Sequence, residues 1–145
     1  MWKEAAQRAF PEAKFADPVD RPSLRAAERR LGRRIPDALT DLLQETNGIS
    51  GPYALATVWP LERIVEDNLS FWSEPTFVDL YMPFEPLLFF GDNGGGDQFA
   101  FVRVPDGRHD VFVWEHEDDS RRWVARDLHD YLNRSLSSEG DDWYQ

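Results

Sequence analysis

Apolar positions recur along this chain with two different periods, and the switch between them separates helical from extended stretches. Trp2, Ala5, Ala6 and Ala9 share one side of a short helix over residues 2–10, which Pro11 ends. Asp17-Pro18-Val19-Asp20 reads as a connector. From Pro22, suited to a first helical turn, Leu24, Ala27 and Leu31 keep helical spacing beside a basic flank of Arg25, Arg29 and Arg30. Gly32 breaks that helix and Pro36 opens another, whose stripe of Leu39, Leu42 and Leu43 runs on to Asn47-Gly48, read as its C-terminal cap. Residues 53–58 alternate bulky and small side chains as a strand does. Pro60 starts a helix in which Leu61, Ile64, Val65, Leu69 and Trp72 share a face, and residues 73–86 read as irregular.

The strongest β pattern follows. Leu87-Leu88-Phe89-Phe90 and Phe99-Ala100-Phe101-Val102 flank a glycine-rich turn as the arms of a hairpin. Pro105-Asp106-Gly107 is a second turn and Val111-Phe112-Val113-Trp114 a third strand, so the sheet is an antiparallel meander. Glu115-His116-Glu117-Asp118-Asp119 marks an exposed acidic loop, and Trp123-Val124 a short strand. Asp127 caps a last helix whose Leu128, Tyr131, Leu132 and Leu136 face the sheet, and residues 137–145 form a loosely held acidic tail. The expected fold is α+β, a mostly antiparallel sheet with N-terminal helices and a C-terminal helix packed on it. With neither repeat nor linker, one domain spans residues 1–145, its core at about 21–136.

Charge narrows the choice of partner. The net charge is −11, and it is uneven: the first fifty residues carry nine basic and eight acidic side chains, the remainder seven and nineteen. That field repels nucleic acid and anionic membranes and suits a cationic protein. Arg29, Arg30, Arg33 and Arg34 lie among nearby acids and read as a solvated surface, not a nucleic-acid patch. Absence of cysteine removes disulfides, thiolate nucleophiles and the commonest structural zinc ligands. No apolar run is long enough to span a bilayer, and the start lacks a signal peptide's apolar stretch, so the expected location is the cytoplasm.

The segments that invite chemistry lack its full patterns. Gly91-Asp92-Asn93-Gly94-Gly95-Gly96-Asp97 has no Lys-Ser/Thr and leads into a strand, whereas a phosphate loop feeds a helix N-terminus. Its carboxylates miss the alternate-residue spacing of a calcium loop. His109, His116 and His129 belong to no metal-ligand motif. Glu115 and Glu117 flank His116, but strand neighbours point to opposite faces and do not orient one imidazole together. No serine sits in Gly-x-Ser-x-Gly. The expectation is a non-enzymatic protein with no catalytic residue, cofactor or metal; a hydrolase would need Asp92, Asp97 or His116 to converge in a deep pocket.

The order of motifs resembles the SUKH superfamily. A helix ends in Glu28-Arg29-Arg30-Leu31-Gly32; Arg34-Ile35-Pro36 opens a second, followed by Thr46-Asn47-Gly48; then come Leu88-Phe89-Phe90-Gly91-Asp92-Asn93-Gly94-Gly95-Gly96-Asp97, the Val-Phe-Val-Trp strand and the terminal helix. Each motif is short, and their order over residues 21–136 carries the likeness. The superfamily includes the yeast cell-wall assembly regulator and many bacterial immunity proteins. The resemblance implies a non-enzymatic scaffold that binds and blocks a neighbouring toxin, among them nucleases and deaminases. The ratio of fourteen arginines to two lysines fits a GC-rich bacterial genome.

The superfamily offers no partner-binding residues to transfer, so candidates come from this chain: Glu115, Glu117, Asp118 and Asp119, with Asp92, Asn93 and Asp97 adjoining if both loops share one sheet edge. The expected partner is a cognate toxin with a basic surface. The alternative is an intracellular regulatory or scaffold module that binds proteins without neutralising a toxin. Oligomeric state stays open.

Overall fold

Short-range chemistry sets most helix ends. The helix α1 (Trp2–Ala9) has no cap of its own; Glu45 supplies one, its Oε1 accepting the Trp2 and Lys3 N–H groups at 3.0 and 3.2 Å. The helix α2 (Arg21–Leu31) begins where Asp20 accepts the Ser23 N–H, with Pro22 in its first turn, and ends at Gly32, whose φ of 73° is left-handed. Glu28 then reaches past Gly32 to accept the Ile35 N–H at 2.8 Å, which fixes the approach to α3 (Asp37–Leu43) and seats Ile35 in the core.

A computed structural model of the chain describes residues 1–102 and 109–145, so the turn expected at Pro105-Asp106-Gly107 lies outside the described residues. The described residues form two antiparallel sheets. The first orders β1 (Lys14–Phe15), β2 (Ile49–Ser50) and β3 (Ala56–Val58); the second is a meander of β4 (Leu87–Asp92), β5 (Gln98–Val102), β6 (Val111–Glu115) and β7 (Ser120–Ala125). They meet where the Trp59 N–H donates to Phe90 O at 2.7 Å. Gly91 permits that approach, because a Cβ there would lie 2.2 Å from Thr57 O.

Three further helices enclose the meander: α4 (Leu61–Ser73), α5 (Pro75–Leu80) and α6 (Leu128–Ser137). Buried Asn68 on α4 takes the place of a strand beside β4: its Oδ1 accepts the Phe89 N–H at 2.8 Å and its Nδ2 donates to Phe89 O at 2.9 Å. One face of the sheet buries Phe89 and Trp114 against Phe71 and Phe84. The opposite face buries Phe90 and Phe99 against Tyr131 of α6. Asp127 starts α6 by accepting the Asp130 N–H, and α1 packs on that helix with Trp2 stacked on His129, ring centres 4.0 Å apart.

The architecture is the expected α+β arrangement, and it departs from the sequence pattern in four places. First, α3 stops at Leu43; Asn47 instead caps α4, its Oδ1 accepting the Leu61 N–H at 2.7 Å, while Gly48 turns the chain at φ 102°. Second, residues 53–58 are not one strand, because Pro52–Ala54 is a tight 3₁₀ turn with Tyr53 and Ala54 at φ 57° and 60°. Third, the stretch read as irregular carries α5, too short to show a helical period. Fourth, the acidic tail is anchored: Trp143 stacks on Phe99 with centres 5.6 Å apart, and Tyr144 is buried.

Candidate protein-binding site

The glycine-rich turn between β4 and β5 is tied by its own polar side chains. Asp92 Oδ2 accepts from Trp59 Nε1 at 2.9 Å and from the Arg63 guanidinium at 2.7 Å, while its Oδ1 accepts the Gly94 N–H at 2.8 Å. Asn93 Oδ1 accepts the Gly95 and Asp97 N–H groups at 2.9 and 3.1 Å. Asp97, only 7% exposed, stands below the turn: Oδ1 meets His116 Nδ1 at 2.7 Å and the His116 N–H at 3.1 Å, and Oδ2 accepts the Tyr144 hydroxyl at 2.8 Å. Gly96 (φ 109°) makes room for this pairing, since a Cβ there would lie 2.9 Å from the imidazole.

Burial alone would raise the Asp97 pKa; the hydrogen bonds from Tyr144 and His116 outweigh it and hold the carboxyl below its ordinary value. Tyr144 is pushed up, by burial first and then by its bond to Asp97. One carboxylate therefore fastens three segments: the glycine-rich turn, the hairpin between β6 and β7, and the C-terminal tail. The two acidic loops do share one end of the sheet.

Within the hairpin the acids divide by role. Glu115 pairs with Arg122 and accepts the Ser120 hydroxyl at 2.8 Å. Asp119, left-handed at φ 60°, accepts from Trp114 Nε1 at 2.8 Å, the Met82 N–H at 2.9 Å and Arg121 at 3.0 Å. Burial opposes and these bonds overcome, so its carboxyl too lies below the ordinary value. Asp118 accepts the Ser120 N–H at 2.9 Å and stays exposed, as does Glu117. The stretch is therefore not the uniformly exposed acidic loop that its composition suggests: the turn takes Glu115 and Asp119 for its own bonds and presents Glu117 and Asp118.

His116 is oriented by Asp97, not by the glutamates beside it. The strand register brings the pair together: Gln98 lies opposite Trp114, which places residue 97 across from the hairpin. A cleft of about 20 Å³ lies beside the turn, lined by Pro52, Leu55, Asp92, Asn93, Trp143 and Tyr144 among others, but by neither Asp97 nor His116. It has room for roughly one water. Trp72 and Trp143 are half-buried parts of the fold; Trp72 Nε1 donates to Leu87 O and its ring lies 3.7 Å under the Arg33 guanidinium.

Among the described residues, no group of three or more His, Asp or Glu side chains is arranged to hold a metal ion, and no helix is long and apolar enough to cross a membrane. A family model, SUKH_6, described as SMI1-KNR4 cell-wall, matches residues 22–132, from α2 into α6. No curated protein matches the chain.

Proposed function

The chain belongs to the SMI1-KNR4 cell-wall family of SUKH domains, and from that premise we propose that it is an immunity protein that binds and neutralises a cognate toxin domain by stoichiometric contact, without catalysis. The observation that carries this reading is the fastening of both acidic loops through Asp97 and His116, with Glu117 and Asp118 exposed on the hairpin at that end of the sheet. A surface fixed before binding loses little conformational freedom in the complex, and its negative field steers a basic partner towards it. Glu115, Asp119, Asp92, Asn93 and Asp97 support that surface from below. The partner is a protein with a basic active-site face, such as a nuclease, met in the cytoplasm.

The test is co-expression with the C-terminal domain of any toxin-like protein encoded beside this chain, scoring survival and co-purification. Rescue with a stable complex supports the proposal. Neither rescue nor complex overturns it in favour of a regulatory module that binds cellular proteins. Neutralising Glu117 and Asp118 together, as Glu117→Gln and Asp118→Asn, is expected to slow association several-fold at low salt and much less at high salt.

A further inference from the structure

We infer that Tyr53 is an aromatic anchor for an arginine- or lysine-bearing loop of that basic partner, held beside the cleft between the glycine-rich turn and the C-terminal tail. The inference rests on the immunity reading and adds to it a second contact region and the chemistry it selects.

Tyr53 is 86% exposed, more than any other large hydrophobic side chain described. Tyr53 and Ala54 both lie in the left-handed region, which L-residues other than glycine enter at a cost. The surrounding turn enforces that conformation: Gly51 N–H donates to Leu55 O at 2.9 Å, Ala54 N–H to Gly51 O at 3.1 Å and Leu55 N–H to Pro52 O at 3.1 Å. Gly140 leaves room for the ring, since a Cβ there would lie 2.8 Å from it. A strained backbone that places a large ring in water gains the fold little, and glycine at 53 would relieve the strain. A tyrosine in a fixed pose is the kind of side chain that carries interface energy at low entropic cost.

Charge selects the occupant. Asp92, in the wall of the cleft, is already paired with Arg63, whereas Asp141 and Asp142 are exposed there, and its lining includes no Lys or Arg. A guanidinium or ammonium group can lie on the Tyr53 ring and reach these carboxylates. The position is continuous with the surface proposed above, because Leu55 of the same turn packs where a Cβ on Gly94 would sit, 2.7 Å from its Cδ2.

The experiment measures affinity of the purified chain for the toxin-like domain used in the co-expression test, together with thermal unfolding. The variants are Tyr53→Gly, Tyr53→Asn, which tolerates the left-handed backbone, and the pair Asp141→Asn with Asp142→Asn. The expected result is a loss of affinity of about tenfold or more in each Tyr53 variant with the melting temperature unchanged or raised, and a weaker salt dependence in the aspartate pair. Wild-type affinity in all three, with the wild type binding, overturns the anchor and leaves the immunity reading standing. A wild type that forms no complex overturns the immunity reading and the anchor with it.

Discussion

Tyr144 closes the end of the chain onto the glycine-rich turn: its hydroxyl donates to Asp97 Oδ2 at 2.8 Å and accepts from Asn93 Nδ2 at 2.6 Å. Tyr144→Phe keeps the ring against Phe99 but leaves both partners without it. A buried acceptor and a part-buried donor lose their bond, so the expected cost is about 1–3 kcal/mol, read as a lower urea midpoint at unchanged slope.

The same network sets the pH response. Asp97 and Asp119 both have folded pKa values below the ordinary 3.8, so on acidification the unfolded chain takes up protons first. The stability they contribute is present above that value and is lost as pH falls through the folded values. Tyr144 has the opposite sense: raised above 10.0, its contribution is present below that pH and is lost as pH rises beyond it. Denaturant midpoints measured from neutral pH down to about pH 2.5 are expected to fall steeply below about pH 4. In Asp97→Asn the starting stability is lower and the acid limb flatter; an equally steep limb would remove Asp97 as a source of the dependence.

What the sequence makes legible is whatever a few consecutive residues decide. Gly32, Pro36 and Asp127 punctuate helices by local chemistry, and the alternating arms around residues 91–97 announce the hairpin and hence the α+β fold. Partnerships across long separations are hidden. Glu45 caps a helix 43 residues upstream, Asn68 reads as a polar gap in an apolar face, and Tyr144 sits in a tail whose acidity suggests solvent. The acidic site is visible as composition, but the division between presenting Glu117 and Asp118 and structural Glu115 and Asp119 depends on turn geometry. Tyr53 is missed because bulky-small alternation around a tight turn imitates a strand.

Asn68 satisfies both backbone groups of Phe89 on the outer side of β4, which ends its sheet among the described residues. Asn68→Leu fills much the same space and leaves a buried N–H and C=O unpaired. The expected destabilisation is about 2–4 kcal/mol. Amide hydrogen exchange supplies the specific readout: Phe89 should lose more protection than Phe101, which lies within the meander between β4 and β6.

Two glycines of one loop separate backbone need from turn composition. At Gly91 an added Cβ meets Thr57 O at 2.2 Å and the Tyr131 hydroxyl at 2.9 Å, and both belong to buried elements that cannot yield without parting the two sheets. At Gly95 the nearest atoms are those of the Asn93 side chain, no closer than 3.6 Å. Gly91→Ala is therefore expected to cost more than about 3 kcal/mol and to lower the soluble yield, whereas Gly95→Ala stays within about 0.5 kcal/mol of the parent. Parallel unfolding curves check this. Equal effects at the two positions would mean that the close passage of β4 along Thr57 is not what the motif's first glycine serves.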